Sequence, residues 1–518
     1  MSLARALLAL ALFWAVPAAA QTPHLAWQGE ARQLIVDGKP FLILGGELGN
    51  SSASHREYLK PHWAKLKAMR LNTVLAPVSW ELIEPAEGRF DWTSVDGLLA
   101  DARAHDMRLV LLWFGAWKNS MSTYVPSWVK RDRARFPHAV SAEGRTQEIL
   151  SVFSAATRDA DAGAFAALMA HLREVDGKRG TVIMVQVENE IGFLPDAREH
   201  GADANAAFAD RRPNASLPNP PRNLNLEPWS ADAEEEFTAW HYARYTEAVA
   251  AAGKKQYPLP MFVNGAQGRP GRKPGEYPSG GPLAHLMGIW RRGTHSIDFF
   301  APDIYFPSFA EIVAGYATPS NVLFVPEANN AGDPRAAANA MRVIGRHKGL
   351  GFSPFSIETI DEGGAKRLGG MYAMLDDLAP TILDAQGKGR IMGFGAPVSF
   401  DGKVDESVQT ASFGGWRFTA TFIDPWTPRD KQQPSEHGAL LIWLGGEDFL
   451  VAGSGVTFTV EPEDGKGRAG LDWVDEGGFA AGKWTTTRRL NGDQTHQGRH
   501  VRLPPDGFGI QKLRLYRY

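Results

Sequence analysis

The run TVIMVQVENE, from Thr181 to Glu190, is apolar for most of its length and then turns polar over its last three residues. A stretch of that length, rich in Val, Ile and Met, reads as a strand buried on both faces, the pattern of a parallel sheet covered by helices. Outward from it, seven similar runs recur: FLILGG (Phe41 to Gly46), NTVLAP (Asn72 to Pro77), RLVLLWFG (Arg108 to Gly115), MFVNG (Met261 to Gly265), FFAPDIY (Phe299 to Tyr305), VLFVPE (Val322 to Glu327) and GFSPFS (Gly351 to Ser356). Longer amphipathic segments separate them. Two begin with helix-start signals, Ser54-His55-Arg56-Glu57 and Thr93-Ser94-Val95-Asp96, which predict helices running to Met69 and His105 with the hydroxyl as cap. Eight alternating β and α units with right-handed crossovers favour a closed (β/α)8 TIM barrel, of α/β class, over an open sheet. No GxGxxG or Walker loop follows the first strand, which removes the usual nucleotide-binding reading of the open sheet.

With 518 residues, the chain is longer than the roughly 250 to 350 residues a barrel needs. After about Gly395 the pattern changes to short strands with Gly, Pro and Asp turns: WRFTATFI (Trp416 to Ile423), GALLIWL (Gly438 to Leu444), GVTFTV (Gly455 to Val460) and KLRLYRY (Lys512 to Tyr518). This predicts a C-terminal all-β sandwich domain over 396–518, after a catalytic barrel over 21–395. The segment 1–20 has Arg5, an apolar run from Ala6 to Val16 and the small residues Ala18-Ala19-Ala20, the pattern of a signal peptide. The expected product is exported, periplasmic or secreted. No later run approaches the ~20 apolar residues of a spanning helix, so no membrane insertion is expected. The chain has no cysteine, hence no disulfide framework and no thiolate metal site. A formal charge of -3 provides no basic face for nucleic acid and fits a neutral ligand. The 14 histidines form no HExxH or HxH cluster, and no metal or other cofactor is expected.

Barrel enzymes keep their functional residues at the C-terminal ends of the strands. Strand four ends in Asn189 and Glu190, and strand seven in Glu327, three strands round the barrel. Two carboxyls facing across a barrel mouth suit glycosidic hydrolysis with retention, in which one protonates the leaving oxygen while a second, about 5 to 5.5 Å away, attacks the anomeric carbon.

On these residues the chain resembles the barrel glycosidases whose fourth strand ends Asn-Glu. The stretch QVENEIG is similar to the Gln-Val-Glu-Asn-Glu-aromatic-Gly sequence of glycoside hydrolase family 35, the β-galactosidases. Trp80-Glu81, Glu84-Pro85 and Gly88-Arg89-Phe90-Asp91 resemble that family's second-strand region, and Pro126-Ser127-Trp128 its Pro-Ala-Trp after strand three. The β module resembles the C-terminal sandwich of a bacterial subgroup. The resemblance implies that Glu190 is the general acid/base, Glu327 the nucleophile and Asn189 the partner of the sugar 2-hydroxyl. It also implies an oligosaccharide or polysaccharide substrate, with release of terminal galactose from plant-type chains such as xyloglucan. An exo-glycosidase of another β-linked sugar, or a non-catalytic carbohydrate-binding barrel, are the alternatives.

The sequence departs from the family in two places. The first strand ends Gly45-Gly46-Glu47 where the family has His-Tyr, and the third reads Gly115-Ala116-Trp117-Lys118-Asn119 where it has Ala-Glu-Trp. Glu47 replaces the lost sugar-binding carboxylate or pairs with a neighbouring loop; both readings stay open. Trp80, Trp113, Trp117 and Tyr305 stand at strand ends, where an aromatic face either packs on a sugar or fills the barrel core. Glu358 reads as an exposed salt-bridge residue, and Glu234-Glu235-Glu236 as the solvated first turn of a helix. The polar segment from Leu194 to Ser230, long for a βα loop, is expected on the active-site face as a subsite or lid.

Overall fold

The computed structural model describes residues 21–209, 231–480 and 482–518. The expected signal peptide and the part of the Leu194–Ser230 loop beyond Ala209 lie outside these residues. Eight parallel strands close into a barrel in sequence order: β1 (Ile43–Glu47), β2 (Thr73–Ser79), β3 (Arg108–Lys118), β4 (Val182–Asn189), β5 (Met261–Ala266), β6 (Phe299–Ile304), β7 (Val325–Asn330) and β8 (Gly351–Phe355). The eighth strand pairs with the first, Gly351 opposite Ile43, which leaves no free edge. Every residue of β2 and β4 is buried, as continuous apolar runs between a filled lumen and a helical layer require.

The two expected helix caps, Ser54 and Thr93, are each displaced by one residue, to His55 and Trp92. The first helical turn begins at Arg56, with His55 before it making no side-chain cap bond. α1 (Thr93–Ala104) begins at Thr93 itself, because Asp91 already offers an acceptor to the Thr93 amide at 2.9 Å. α2 (Ala155–Asp176) starts from Ser154, whose hydroxyl accepts from the Thr157 amide at 3.1 Å, and buries Phe165, Leu168 and Leu172. It packs against α3 (Ala231–Gln256) behind strands β3 and β4.

An element not expected from the sequence closes the opposite end of the barrel. The strands His24–Gln28, Ala31–Val36 and Lys39–Phe41 form a small antiparallel sheet. Leu34 and Val36 from it pack with Ile43, Leu112, Phe262 and Phe324 in one cluster, so this sheet is the barrel floor.

The C-terminal part has two antiparallel sheets. Six strands, from Ile391–Gly395 to Gly509–Arg517, form one; Gln409–Phe413, Trp416–Thr421, Thr457–Pro462 and His500–Arg502 form the other. Phe394, Leu441, Phe449 and Leu513 of the first interdigitate with Phe418, Phe458 and Val501 of the second, which makes the pair a sandwich with its own core. Its first strand lies ahead of the expected boundary at 395/396, since Ile391–Gly395 pairs along its whole length with Gly438–Gly445. The sandwich meets the barrel at the helical segment from Ala336 to Arg346. There a Cβ at Gly345 would lie 2.6 Å from the Gly393 amide nitrogen, and one at Gly438 would lie 2.9 Å from Ala338 Cα. Backbone touches backbone at that seam.

Candidate active site

Strand register alone puts several polar side chains on one rim. Glu327 of β7 lies opposite Asp303 of β6, Glu47 of β1 lies opposite Phe355 of β8, and Lys118 of β3 lies opposite Asn189 of β4. Four carboxyl groups, Glu47, Glu190, Asp303 and Glu327, are buried there with Lys118 as the cation acting on three of them. An oxygen from each of Glu190, Asp303 and Glu327 lies within 4.8 Å of the other two.

Each side chain has an identifiable support. Asn264 of β5 uses both ends of its amide: its Oδ1 accepts from the Glu190 backbone at 3.0 Å and its Nδ2 donates to Asp303 at 2.5 Å. The Ser120 hydroxyl donates to the Glu190 carbonyl. The Tyr305 hydroxyl, just past β6, donates to a Glu327 oxygen. Asn189 is fully buried and both its amide atoms are without a protein partner, as suits a group reserved for a ligand. Glu188 and Glu190 both have positive φ, 59° and 47°, which non-glycine residues rarely adopt and which strained functional rims often contain.

The electrostatics separate the carboxyls. Burial first, and the Glu327 charge second, raise the Glu190 carboxyl to about 7, with Lys118 and a hydrogen bond from Asp303 opposing the rise. Burial raises Glu47 and Asp303 well above the carboxylate range, and Glu327 raises both further. A Glu190 that is protonated near neutral pH can donate a proton to a leaving group. Lys118→Met removes a cation that favours the Glu190 carboxylate, so the Glu190 pKa should rise. The alkaline limb of the kcat/KM profile should therefore start near 7 in the native protein and move upward in the variant. An unmoved or lowered limb would show that another group controls it.

The three carboxylates could also hold a hard cation by their all-oxygen chemistry. Tyr305 and Asn264 already donate to two of them, however, and Lys118 supplies positive charge from the protein itself.

Of the residues expected at the site, Glu190, Glu327, Glu47 and Tyr305 come together, and Asn189 lies between Glu188 and Glu190 on the same rim. Tyr305 remains 43% exposed. Trp80 and Trp117, named as candidate sugar platforms with core packing as the other reading, do not offer a face to a ligand and take the packing role. Trp80 is fully buried, donates to Glu84 at 2.7 Å and packs on Trp113 and Trp128. Trp117 is fully buried between Tyr242 and Tyr245 of α3. Position at a strand end does not reveal which way a ring points, and here both rings turn outward into the helical layer. Glu358 is buried rather than exposed; it accepts from Ser52 at 2.5 Å and from the Gly49 amide at 3.1 Å, holding the loop that follows Glu47. In the Glu234–Glu236 run, Glu235 is buried against His285 at 2.9 Å, so that turn is not simply solvated.

Asp303 and Lys118 were not singled out from the sequence. The signal for Asp303 was present: it stands two residues before Tyr305 in a strand otherwise apolar. Lys118 follows a bulge that sequence periodicity does not register, since β3 advances five residues, Trp113 to Lys118, while β4 advances two.

Residues 51–251 match the family model described as Beta-galactosidase, that of glycoside hydrolase family 42, and residues 368–502 match a domain of unknown function, DUF5597. The Beta-galactosidase of Xanthomonas manihotis is 30% identical over 254 residues, covering 43% of this chain and 39% of that protein. Beta-galactosidase-1-like protein 2 of Homo sapiens is 29% identical over 182 residues, 34% of this chain and 26% of that protein. The chain thus spans well under half the length of these curated relatives. The solved β-galactosidase from Rahnella sp. R3 aligns with a TM-score of 0.49 at 14% identity, over 70% of this chain and 58% of that one. The matched residues include Glu190 and its strand, in keeping with the family-35-like resemblance of VENE. Over residues 51–251 the barrel of this chain is thus similar to β-galactosidases.

Proposed function

We propose that the chain is a retaining exo-β-glycosidase that removes terminal β-galactosyl groups from plant-type oligosaccharides, xyloglucan fragments among them. The observation that carries this reading is the carboxyl spacing. One oxygen of Glu190 lies within 4.8 Å of one oxygen of Glu327, a close approach that favours double displacement, with carboxyls about 5 to 5.5 Å apart, over inversion, with carboxyls about 6.5 to 9.5 Å apart. Glu190, protonated below about 7, gives its proton to the glycosidic oxygen while Glu327 attacks the anomeric carbon. The aglycone leaves, and Glu190, now a carboxylate, takes a proton from the water that opens the glycosyl ester. Asn189 donates to the 2-hydroxyl, a contact that strengthens as positive charge develops on the ring.

The altered ends of strands one and three favour one second reading, an exo-glycosidase of another β-linked sugar. A panel of nitrophenyl glycosides, with proton NMR of the first product, tests both. Fastest turnover of the β-galactoside with the β-anomer appearing first is expected. An α-anomer first would refute double displacement, and preference for another sugar would refute the galactose assignment alone. We also infer export, with a mature chain starting at Gln21; a mass matching the full 518 residues in the exported fraction would refute leader removal.

A further inference from the structure

Behind the catalytic rim lies a second pair of acids that the proposed reaction does not use. Glu188 stands two residues before Glu190 on β4, and Asp161 comes from α2; neither has any exposed surface. Asp161 is surrounded by donors: the Trp113 indole donates to Oδ1 at 2.9 Å and the Tyr245 hydroxyl to Oδ2 at 2.9 Å. Glu188 accepts from the Trp117 amide at Oε2, at 2.9 Å, and the Ala116 amide lies near both acids, while Glu188 Oε1 makes no well-aligned hydrogen bond from a donor and lies in hydrogen-bonding range of Asp161. Gly115 leaves the space. A Cβ there would stand 2.5 Å from Trp113 Nε1 and 2.8 Å from both Asp161 Oδ1 and Glu188 Oε1.

Two carboxylates side by side with neither exposed and no cation between them would be prohibitively costly, so one must hold a proton. The donors decide which. Both Asp161 oxygens already accept, as an anion does, whereas Glu188 Oε1 lacks a well-aligned donor and can itself carry a hydrogen toward Asp161. We propose that Glu188 is a neutral carboxylic acid donating to the Asp161 carboxylate, and that this bond is a positioning device holding the rim of β4, with Asn189 and Glu190, against the bulge of β3. Burial acts in the same direction, raising both groups, with Asp161 raising Glu188 further. The device has work to do because the left-handed backbone at Glu188 and Glu190 is unfavourable for non-glycine residues and must be held by its surroundings. Its three anchors span β3 through Trp113 and Trp117, α2 through Asp161 and α3 through Tyr245. It also accounts for glycine at position 115, where a Cβ would press on both acids.

The kinetic part of the test rests on the glycosidase reading; the spectroscopic part does not. Glu188→Gln keeps one acceptor for the Trp117 amide and one donor for Asp161, so its kcat should stay within about 3-fold of native. Glu188→Ala should lose kcat by on the order of 10²-fold with a smaller change in KM, because a misplaced rim damages the transition state more than binding. Asp161→Asn turns an N–H toward the indole or the tyrosine and should fare worse than Glu188→Gln, although each swaps one carboxyl for an amide. By infrared spectroscopy, the native-minus-Glu188→Gln difference at mildly alkaline pH should contain one carboxylic-acid C=O band, over and above any band from Glu47 and Asp303, which both proteins share. Equal tolerance of Asp161→Asn and Glu188→Gln, or a difference spectrum without that band, would overturn the placement of the proton. A Glu188→Ala protein that melts lower yet keeps native kcat would overturn the positioning role. If no glycoside is turned over by the native protein, the functional reading fails, while the infrared result still decides the proton.

Discussion

Glu190→Ala and Glu327→Ala should each abolish most turnover, yet respond oppositely to azide. Loss of general acid/base catalysis typically costs on the order of 10²–10⁴-fold. With an aryl glycoside whose leaving group needs no protonation, the Glu190 variant should still form the glycosyl-enzyme. Azide then attacks that ester in place of activated water and yields a product of retained configuration. In the Glu327 variant no ester forms, and azide takes the vacated position of the nucleophile to yield the inverted product. Both variants should fold, because each trims a buried acid at the barrel mouth and leaves the apolar cores of β4 and β7 untouched. NMR of the azide products reads the outcome directly, and the reverse pairing would mean that the two roles are exchanged.

The second large effect concerns choice of sugar. Galactose and glucose differ at one hydroxyl, and a buried polar group that hydrogen-bonds the axial form is left unpaired by the other, which can separate the two by 10⁴-fold or more. Glu47 is the candidate. It is buried on the same rim, it lies against Glu327, and its Oε1 has no protein donor. Glu47→Ala should lower kcat/KM for β-galactosides by on the order of 10²-fold and narrow the galactoside to glucoside ratio, since removing a hydrogen bond to a charged or strongly held group costs about 1.5–3 kcal/mol. A variant that slows both sugars by the same factor would assign Glu47 to the support of Glu327 rather than to recognition.

The barrel was legible because a strand buried on both faces has to be apolar throughout, and eight such runs stand out from amphipathic helices. Glu190 and Glu327 were legible for the same reason, as acids that break those runs at the rim. Direction within the rim was not. Trp80 and Trp117 occupy the same kind of position as Tyr305, and only packing shows that two turn into the helices while one stays at the mouth. Half-exposed strands carry little signal, so Ala469–Ala480, with Asp472, Asp475 and Glu476 within it, and Lys483–Leu490, mostly polar, did not stand out. The floor sheet was missed because it lies outside the βα repeat. The Glu188–Asp161 pair was hidden by sequence distance, an acid on a strand and an acid on a helix brought together only by the packing of α2 on β3.

The seam at Gly345, Gly393 and Gly438 bears on what kind of partner the DUF5597 region is. A carbohydrate-binding appendage on a tether can be cut away or exchanged, because its attachment surface is small and its own core suffices. Here main chain lies on main chain, so removing the sandwich strips the helical segment from Ala336 to Arg346 of the surface that shapes it, and that segment lies between β7, which carries Glu327, and β8. The C-terminal part is in this sense a wall of the catalytic unit. Insertions or domain exchanges at this junction would disturb the barrel segment between β7 and β8 as well as the sandwich.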